Sequence, residues 1–289
     1  VKSVLLTGAT GLIGSHFANA CRDRYAIHAL SRRPPHAGAP YRALTQLDLA
    51  GPWRADALPP RIDAVVHLAQ SEHFREFPEQ AAEIFSVNAG ATVRLLDYAR
   101  RAGARTFVLA SSGGVYGASD TGLSENAVIP ARGDLGFYLG TRLCSEIVAQ
   151  SYSAHFSVIT LRFFFAYGPG QRASMLVPRL IESVRAGAPI ALQGDDGIRI
   201  NPTFATDAAT AVECALSLEG MHNINVAGPE ILSLRQIAEA IGQAVGRHPV
   251  YAVEPVPPRH IIGDIEKMSQ LLRPPAVGFR QGLERMLKG

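Results

Sequence analysis

Short apolar runs alternating with helical patterns constrain this chain more than any other feature. Residues 3–7, 26–31, 43–47, 64–69 and 106–110 form runs of five or six residues with few polar interruptions. Near-continuous apolar character marks strands covered on both faces. The clearest helical pattern between them is 79–102, where Ile84, Val87, Ala91, Leu95 and Ala99 share one face before Gly103 closes the segment. Strands that alternate with helices predict an α/β chain, with a parallel sheet wrapped by helices through right-handed crossovers.

The pattern loosens later. A strand is expected at 156–162, a helix at 176–186 ended by Gly187, a helix at 207–218 and a strand at 223–226. Ser233 suits the N-cap of a helix over 234–245. A proline-rich passage, 249–258, precedes two short helical segments. No internal repeat or low-complexity linker separates the parts. The chain therefore divides into a core over 1–165 and a smaller packed lobe over 166–289, interleaved with returning core elements near 203–227.

Composition excludes several classes of function. A charged fraction of 18% and a net charge of +3 leave no basic stripe for nucleic acid. Cys21, Cys144 and Cys214 are isolated, with no ligand spacing, so no metal site and no disulfide framework is expected. No apolar stretch is long enough to span a bilayer, and no leader pattern opens the sequence. The expected setting is cytoplasmic.

Residues 7–14 read TGATGLIG, directly after the first strand. Gly8, Gly11 and Gly14 permit a tight turn and close backbone approach. Together with Thr10, Leu12 and Ile13 they bring a helix N-terminus to a pyrophosphate. At the first strand–helix junction of an alternating chain, this triplet predicts a dinucleotide site. At the end of the second strand, where an acid would hold the ribose of NAD, stand Ser31, Arg32 and Arg33. These suit a 2′-phosphate and predict NADP, with NAD as the alternative. The competing reading is two exposed loop arginines. Asp48 and Leu49 follow the third strand. Asp48 either meets the adenine or caps a turn.

Tyr138 and Arg142 are four apart in FYLGTR. On a helix they share a face, about 5–6 Å apart at Cβ. A fixed cation favours the ionised form of a neighbouring phenol.

With these motifs in place, the chain resembles the extended short-chain dehydrogenase/reductase family, the NAD(P)-dependent epimerase/dehydratase group. The resemblance rests on TGATGLIG, LDL (47–49), VVHLA (65–69), SVNAGATVRLL (86–96), LASSGGVYG (109–117), YLGTR (138–142) and LRFFFAYGPGQ (161–171). Weaker agreement runs through 201–209, 223–230 and 282–287. The resemblance implies a Rossmann-like doubly wound sheet with a smaller C-terminal substrate-binding lobe. It implies that Leu68 and Ala69 line the cofactor cleft and that Asn88 fixes the fold and active-site backbone beside the cofactor. Ser112 takes the catalytic serine position and Tyr138 the catalytic tyrosine position. It also implies a homodimer through a four-helix interface of helix 79–102 and the helix carrying Tyr138.

This chemistry is coherent in itself. Hydride transfer at a carbonyl leaves an alkoxide that needs a proton, and the reverse needs a base, which tyrosine can serve. A serine hydroxyl at a strand end can hold the reacting oxygen.

Four departures from the family pattern stand out. Arg142 replaces the usual lysine, keeping the charge in a longer, planar group. Gly113 and Gly114 replace the acid pair of the dehydratases, so dehydration is not expected, and Gly113 is a candidate substrate contact. Phe165 replaces an asparagine that contacts substrate, giving a more apolar contact or a core filler between lobes. The substrate-phosphate arginine is displaced, with Ile200 in its slot and Arg199 beside it. Arg172, Arg199 and Arg259 remain candidate phosphate ligands.

The leading expectation is an NADP-preferring oxidoreductase acting on a secondary alcohol or ketone, on a sugar-like small molecule. A nucleotide-sugar 4-epimerase using bound NAD is the runner-up. A weakly active dinucleotide binder and a reductase of a non-sugar aldehyde or ketone stay open.

Overall fold

The computed structural model describes residues 1–34, 38–129 and 135–288. Its centre is a seven-stranded sheet in which every neighbouring pair is parallel. In chain order the strands are β1 (Lys2–Thr7), β2 (Tyr25–Ser31), β3 (Ala43–Gln46), β4 (Ala64–His67), β5 (Thr106–Ser112), β6 (Ser157–Phe163) and, much later, Met221–Val226. The spatial order is β3-β2-β1-β4-β5-β6 with Met221–Val226 at the edge.

Strand alternation decides which helices cover which face. Val4 and Leu6 of β1 pack with Phe17 of α1 (Leu12–Cys21), while Leu5 between them packs with Leu95, Leu96 and Ala99 on the opposite face. Val66 against Val65, and Val108 against Phe107 and Leu109, divide the same way. This is why the runs read as continuously apolar.

The helix expected over 79–102 is interrupted. It consists of α2 (Ala81–Phe85), a π-turn over Ser86–Gly90, and α3 (Ala91–Arg101). The carbonyl of Asn88 within that turn accepts from Thr92 Oγ1 at 2.6 Å and from Ser145 Oγ at 2.8 Å. Side chains thus occupy a backbone acceptor where the regular ladder is widened. Ser145 belongs to α4 (Gly136–Gln150), the helix that carries Tyr138 and Arg142.

The rest of the chain forms α5 (Leu176–Ala186), β7 (Pro189–Gln193), β8 (Arg199–Ile200), α6 (Ala205–Ala215), β9 (the edge strand Met221–Val226), β10 (Leu232–Ser233), α7 (Leu234–Val245), β11 (Val250–Glu254), α8 (Glu266–Leu271) and α9 (Phe279–Lys288). A separate apolar cluster draws its buried members from α5, β7, β8, α7 and α9, including Val177, Leu192, Ile200, Ile237 and Leu283, whereas α6, β9 and α8 pack on the central sheet. Ser233 caps α7 with a full capping box, its hydroxyl accepting from Gln236 N at 3.1 Å. The proline-rich passage contains β11, which pairs in parallel with β7. Among the described residues no helix is long and apolar enough to cross a membrane. No group of three or more His, Cys, Asp or Glu among them is placed to hold a metal ion.

Candidate active site

A cavity of about 700 Å³ runs along the carboxyl ends of the sheet strands, from the glycine turn to the start of α5. Gly8, Thr10, Gly11, Leu12, Ile13 and Gly14 line one end. A Cβ at Gly14 would stand 2.1 Å from Gly8 O, and one at Gly8, whose φ is +70°, would stand 2.7 Å from the carbonyl carbon of Leu68. Only glycine lets α1 start this close beneath the turn. Its N-cap, Gly11, brings no side-chain cap, which leaves the helix N-terminus facing the cavity. Residues here fit a pyrophosphate: a backbone cradle, no carboxylate in the turn, and Leu68 and Ala69 closing the other side.

One directional chain of hydrogen bonds braces this turn from behind. Thr92 donates its hydroxyl to Asn88 O, so His67 Nε2 donates to Thr92 Oγ1 at 3.1 Å. Nδ1 of His67 then accepts from Thr7 Oγ1 at 2.7 Å, and Thr7 Oγ1 accepts from Ala69 N at 3.1 Å. Burial, then the charge of Arg142, pushes His67 down to about 3, so the ring is neutral.

At the end of β2, Ser31, Arg32 and Arg33 all border the cavity. Ser31 Oγ accepts from Arg33 N at 3.0 Å. Arg32 reaches Glu72 Oε1 at 2.7 Å, and the same oxygen receives Arg172. Burial opposes the charge of Glu72, but the two guanidiniums hold its carboxyl below its ordinary range. Asp48 and Leu49 also border the cavity, and Asp48 Oδ1 accepts from Ala50 N at 3.0 Å, which is the turn-capping role.

Ser112, Tyr138 and Arg142 line the same cavity. Ser112 is the last residue of β5, and its Oγ accepts from Gly114 N at 3.2 Å. The Tyr138 ring leans on Phe74, with centroids 5.1 Å apart. Its hydroxyl donates to Gln70 Oε1 at 2.9 Å, and Arg142 Nη2 donates to that oxygen at 2.8 Å. The Arg142 guanidinium is 5.6 Å from the Tyr138 ring centroid. Behind this corner lies a buried polar network. Glu146 takes Arg162 bidentately, with Nη2 at 2.6 Å, and receives Ser111 Oγ, while Arg162 Nη1 donates to Tyr116 at 2.6 Å and Tyr116 donates to Asn225 Oδ1 at 2.8 Å.

The family model for the NAD dependent epimerase/dehydratase family matches residues 4–227. The chain belongs to that family. It is an NAD(P)-dependent oxidoreductase of the extended short-chain dehydrogenase/reductase type. It is 29% identical over 310 residues to a dTDP-4-dehydro-6-deoxy-D-allose reductase of a Streptomyces species, covering 98% of this chain and 94% of the relative. It is 29% identical over 235 residues to an uncharacterized UDP-glucose epimerase, YtcB, of Bacillus subtilis, covering 77% of this chain and 72% of the relative. Among solved structures, MoeE5 in complex with UDP-glucuronic acid and NAD superposes with a TM-score of 0.87 at 30% identity, covering 99% of this chain and 98% of that one. A UDP-glucuronic acid 4-epimerase from Bacillus cereus in complex with UDP-glucuronic acid and NAD gives a TM-score of 0.86 at 25% identity, covering 99% and 98%.

Within this family's frame, four expected contacts fall outside the cavity. Asn88 is fully buried behind the wall, its amide spent on Thr141 Oγ1 at 2.9 Å and Ser71 N at 3.0 Å, so it supports the site without touching its space. Gly113 faces the Phe164 ring, where a Cβ would come within 2.4 Å; the wall is formed by Gly114 instead. That crowding also leaves no room for an acidic side chain at position 113. Arg199 is exposed while Ile200 beside it is buried, since adjacent strand residues face opposite ways, and Arg199 extends to Asp120 O at 3.5 Å. Arg259 lies beyond the cavity, its backbone N–H on Gln193 Oε1 at 3.2 Å. Phe165 and Arg172 do line the cavity, and Arg75 and Arg179 join them.

Gln70, Glu72, Arg75 and Arg179 were not singled out by the sequence. The first three directly follow the VVHLA strand, where a loop must turn across the cleft, and that position was the available signal.

Phe165 is the one non-glycine residue with positive φ among those described, at +44°. A Cβ in this left-handed region costs about 1–2 kcal/mol. The ring touches both the α5–α7 cluster and the cluster around Phe164 while facing the cavity, so it fills core and lines the site at once. Two truncations separate strain from packing. Phe165→Gly and Phe165→Ala both lose the ring, but only glycine relieves the backbone. The glycine variant is expected to be more stable than the alanine variant by about 1 kcal/mol in urea unfolding. Equal stabilities, or a more stable alanine variant, would remove the strain argument.

Proposed function

We propose that the protein is an NADP-preferring reductase of a ketone on a nucleotide-linked sugar. The observation that carries this reading is that Ser112, Tyr138 and Arg142 line the same cavity as the glycine cradle. When bound, the nicotinamide would supply the hydride. Tyr138 would give its hydroxyl proton to the developing alkoxide, and Ser112 Oγ would hold that oxygen by a hydrogen bond. Arg142 would hold the nicotinamide ribose and stabilise negative charge on the phenolic oxygen. With Gly113 and Gly114 after Ser112, no side chain there can serve water elimination.

Cofactor choice rests on the end of β2. No carboxylate stands there to accept ribose hydroxyls, and Ser31, Arg32 and Arg33 favour a 2′-phosphate. On the substrate side, the lobe over 166–289 supplies Arg172 and Arg179 for a diphosphate. Phe165, Leu176, Ile198 and Ile261 supply apolar lining that suits a deoxy sugar. The relatives named above, a dehydro-deoxy-sugar reductase among them, support this class. Exposed Phe85, Val93 and Ile147 on α2, α3 and α4 support pairing of these helices in a homodimer. A cytoplasmic setting follows from the soluble nucleotide substrates this reading requires.

The test is cofactor titration by fluorescence, followed by turnover of dTDP-4-dehydro-6-deoxy-D-allose. NADPH is expected to bind at least about tenfold more tightly than NADH, and Arg33→Ala to remove most of that difference. A second reading, a 4-epimerase with retained NAD, is supported by the NAD-bound 4-epimerase from Bacillus cereus. NAD copurifying with the protein, together with interconversion of C4 epimers and no net NADPH oxidation, would favour it over the reductase.

A further inference from the structure

The family pattern has a lysine where this chain has Arg142, and the guanidinium needs more from its surroundings than an ammonium does. It is planar, carries five N–H donors in a fixed fork and accepts nothing. Arg142 is only 3% exposed, so water meets few of those donors and the neighbouring protein atoms must orient the fork. Its Nη1 reaches Ala110 O at 3.3 Å, and its Nε stands 3.5 Å from the Tyr138 hydroxyl, at the limit of a hydrogen bond. The short contact is Nη2 to Gln70 Oε1 at 2.8 Å. That oxygen also accepts the Tyr138 hydroxyl at 2.9 Å.

Because arginine can only donate, the oxygen of the Gln70 amide, and not its NH₂, must face this corner. With that orientation set by Arg142, the Tyr138 hydroxyl meets an acceptor and directs its proton there. A single oxygen thus holds the cation and the proton donor at fixed separation. We infer that Gln70 is a positioning residue that makes arginine workable in the place of the family's lysine, so that Gln70 and Arg142 act as one unit. This rests on the hydride-transfer reading above. It adds that the exchange of lysine for arginine is compensated from the loop after β4, seventy-two positions away in the chain.

Gln70 is exposed on the cleft wall, so its replacement leaves the core intact. Gln70→Met keeps length and removes the acceptor, Gln70→Glu keeps an acceptor, and Arg142→Lys removes the need for a planar one. Two readouts are measured for each single variant and for Gln70→Met combined with Arg142→Lys. The first is the NADPH dissociation constant from fluorescence titration, which needs no substrate. The second is kcat and KM with dTDP-4-dehydro-6-deoxy-D-allose. Gln70→Met is expected to weaken NADPH binding about fivefold and lower kcat at least about tenfold with KM little changed. Gln70→Glu should bind NADPH better than Gln70→Met, and the double variant should recover most of the Gln70→Met loss in both readouts. Wild-type NADPH affinity in Gln70→Met, or losses that simply multiply in the double variant, would overturn the inference. If the wild-type protein turns over no ketone, the reductase reading falls, while the binding series still decides on Gln70.

Discussion

Replacing Tyr138 with phenylalanine is expected to lower hydride transfer by about 10³-fold while leaving NADPH affinity within a few-fold of wild type. The ring itself is held by Phe74, at a centroid distance of 5.1 Å, and phenylalanine can keep that contact. Only the hydroxyl is removed, and with it the proton donor that faces Gln70. Arg142 keeps Gln70 Oε1 as its partner, so the cation stays in place. The measurement is single-turnover oxidation of NADPH with excess dTDP-4-dehydro-6-deoxy-D-allose, with affinity from a parallel titration. A variant retaining more than a tenth of the wild-type rate would remove Tyr138 from the chemistry.

The second large effect is on stability. Glu146→Ala is expected to destabilise the protein by about 3–5 kcal/mol. Glu146 and Arg162 are 1% and 3% exposed at their side chains, and Arg162 gives the carboxylate a bidentate contact with Nη2 at 2.6 Å. Removing the carboxylate leaves a buried guanidinium with Tyr116 as its remaining partner and leaves Ser111 without an acceptor. Replacing both members by apolar residues, Glu146→Leu with Arg162→Met, should recover much of that loss, because the cost lies in the uncompensated charge. Urea unfolding of the wild type and the two variants checks both statements. A loss below about 1 kcal/mol for Glu146→Ala would mean that water or another group reaches Arg162.

Tyr138 on one hand, and Glu146 with Arg162 on the other, show how unevenly the sequence exposes its own site. Tyr138 could be found from local spacing, because a tyrosine and a cation four apart on a helix behind a glycine turn form a pattern. Glu146 and Arg162 could not. Each reads as an ordinary polar residue on a helix or a strand, and their meeting depends on α4 lying across β5 and β6. The same limit explains the strands at Pro189–Gln193 and Val250–Glu254: both have five residues, one opens on a proline and the other lies among prolines, and their pairing joins positions 61 apart. It also explains Arg199. The sequence could place it beside the slot, but only the pairing of Leu232–Ser233 with Arg199–Ile200 shows which of the two faces solvent.

What the sequence determined by itself was local and periodic. Alternating apolar runs required a parallel sheet buried on both faces, since Val4 and Leu6 had to be covered on one side and Leu5 on the other. Glycine at 8 and 14 required close backbone approach, because a Cβ at Gly14 would meet Gly8 O. The tertiary structure decided which long polar side chains share a partner. Gln70 holds Tyr138 and Arg142 together, and Glu72 holds Arg32 and Arg172 across the cleft. Flexible side chains on loops have no period, and one carboxylate or amide oxygen can accept from any donor the fold brings within about 3 Å. The glycine cradle is therefore written in spacing, while the setting of Arg142 is written in the path of the loop after β4.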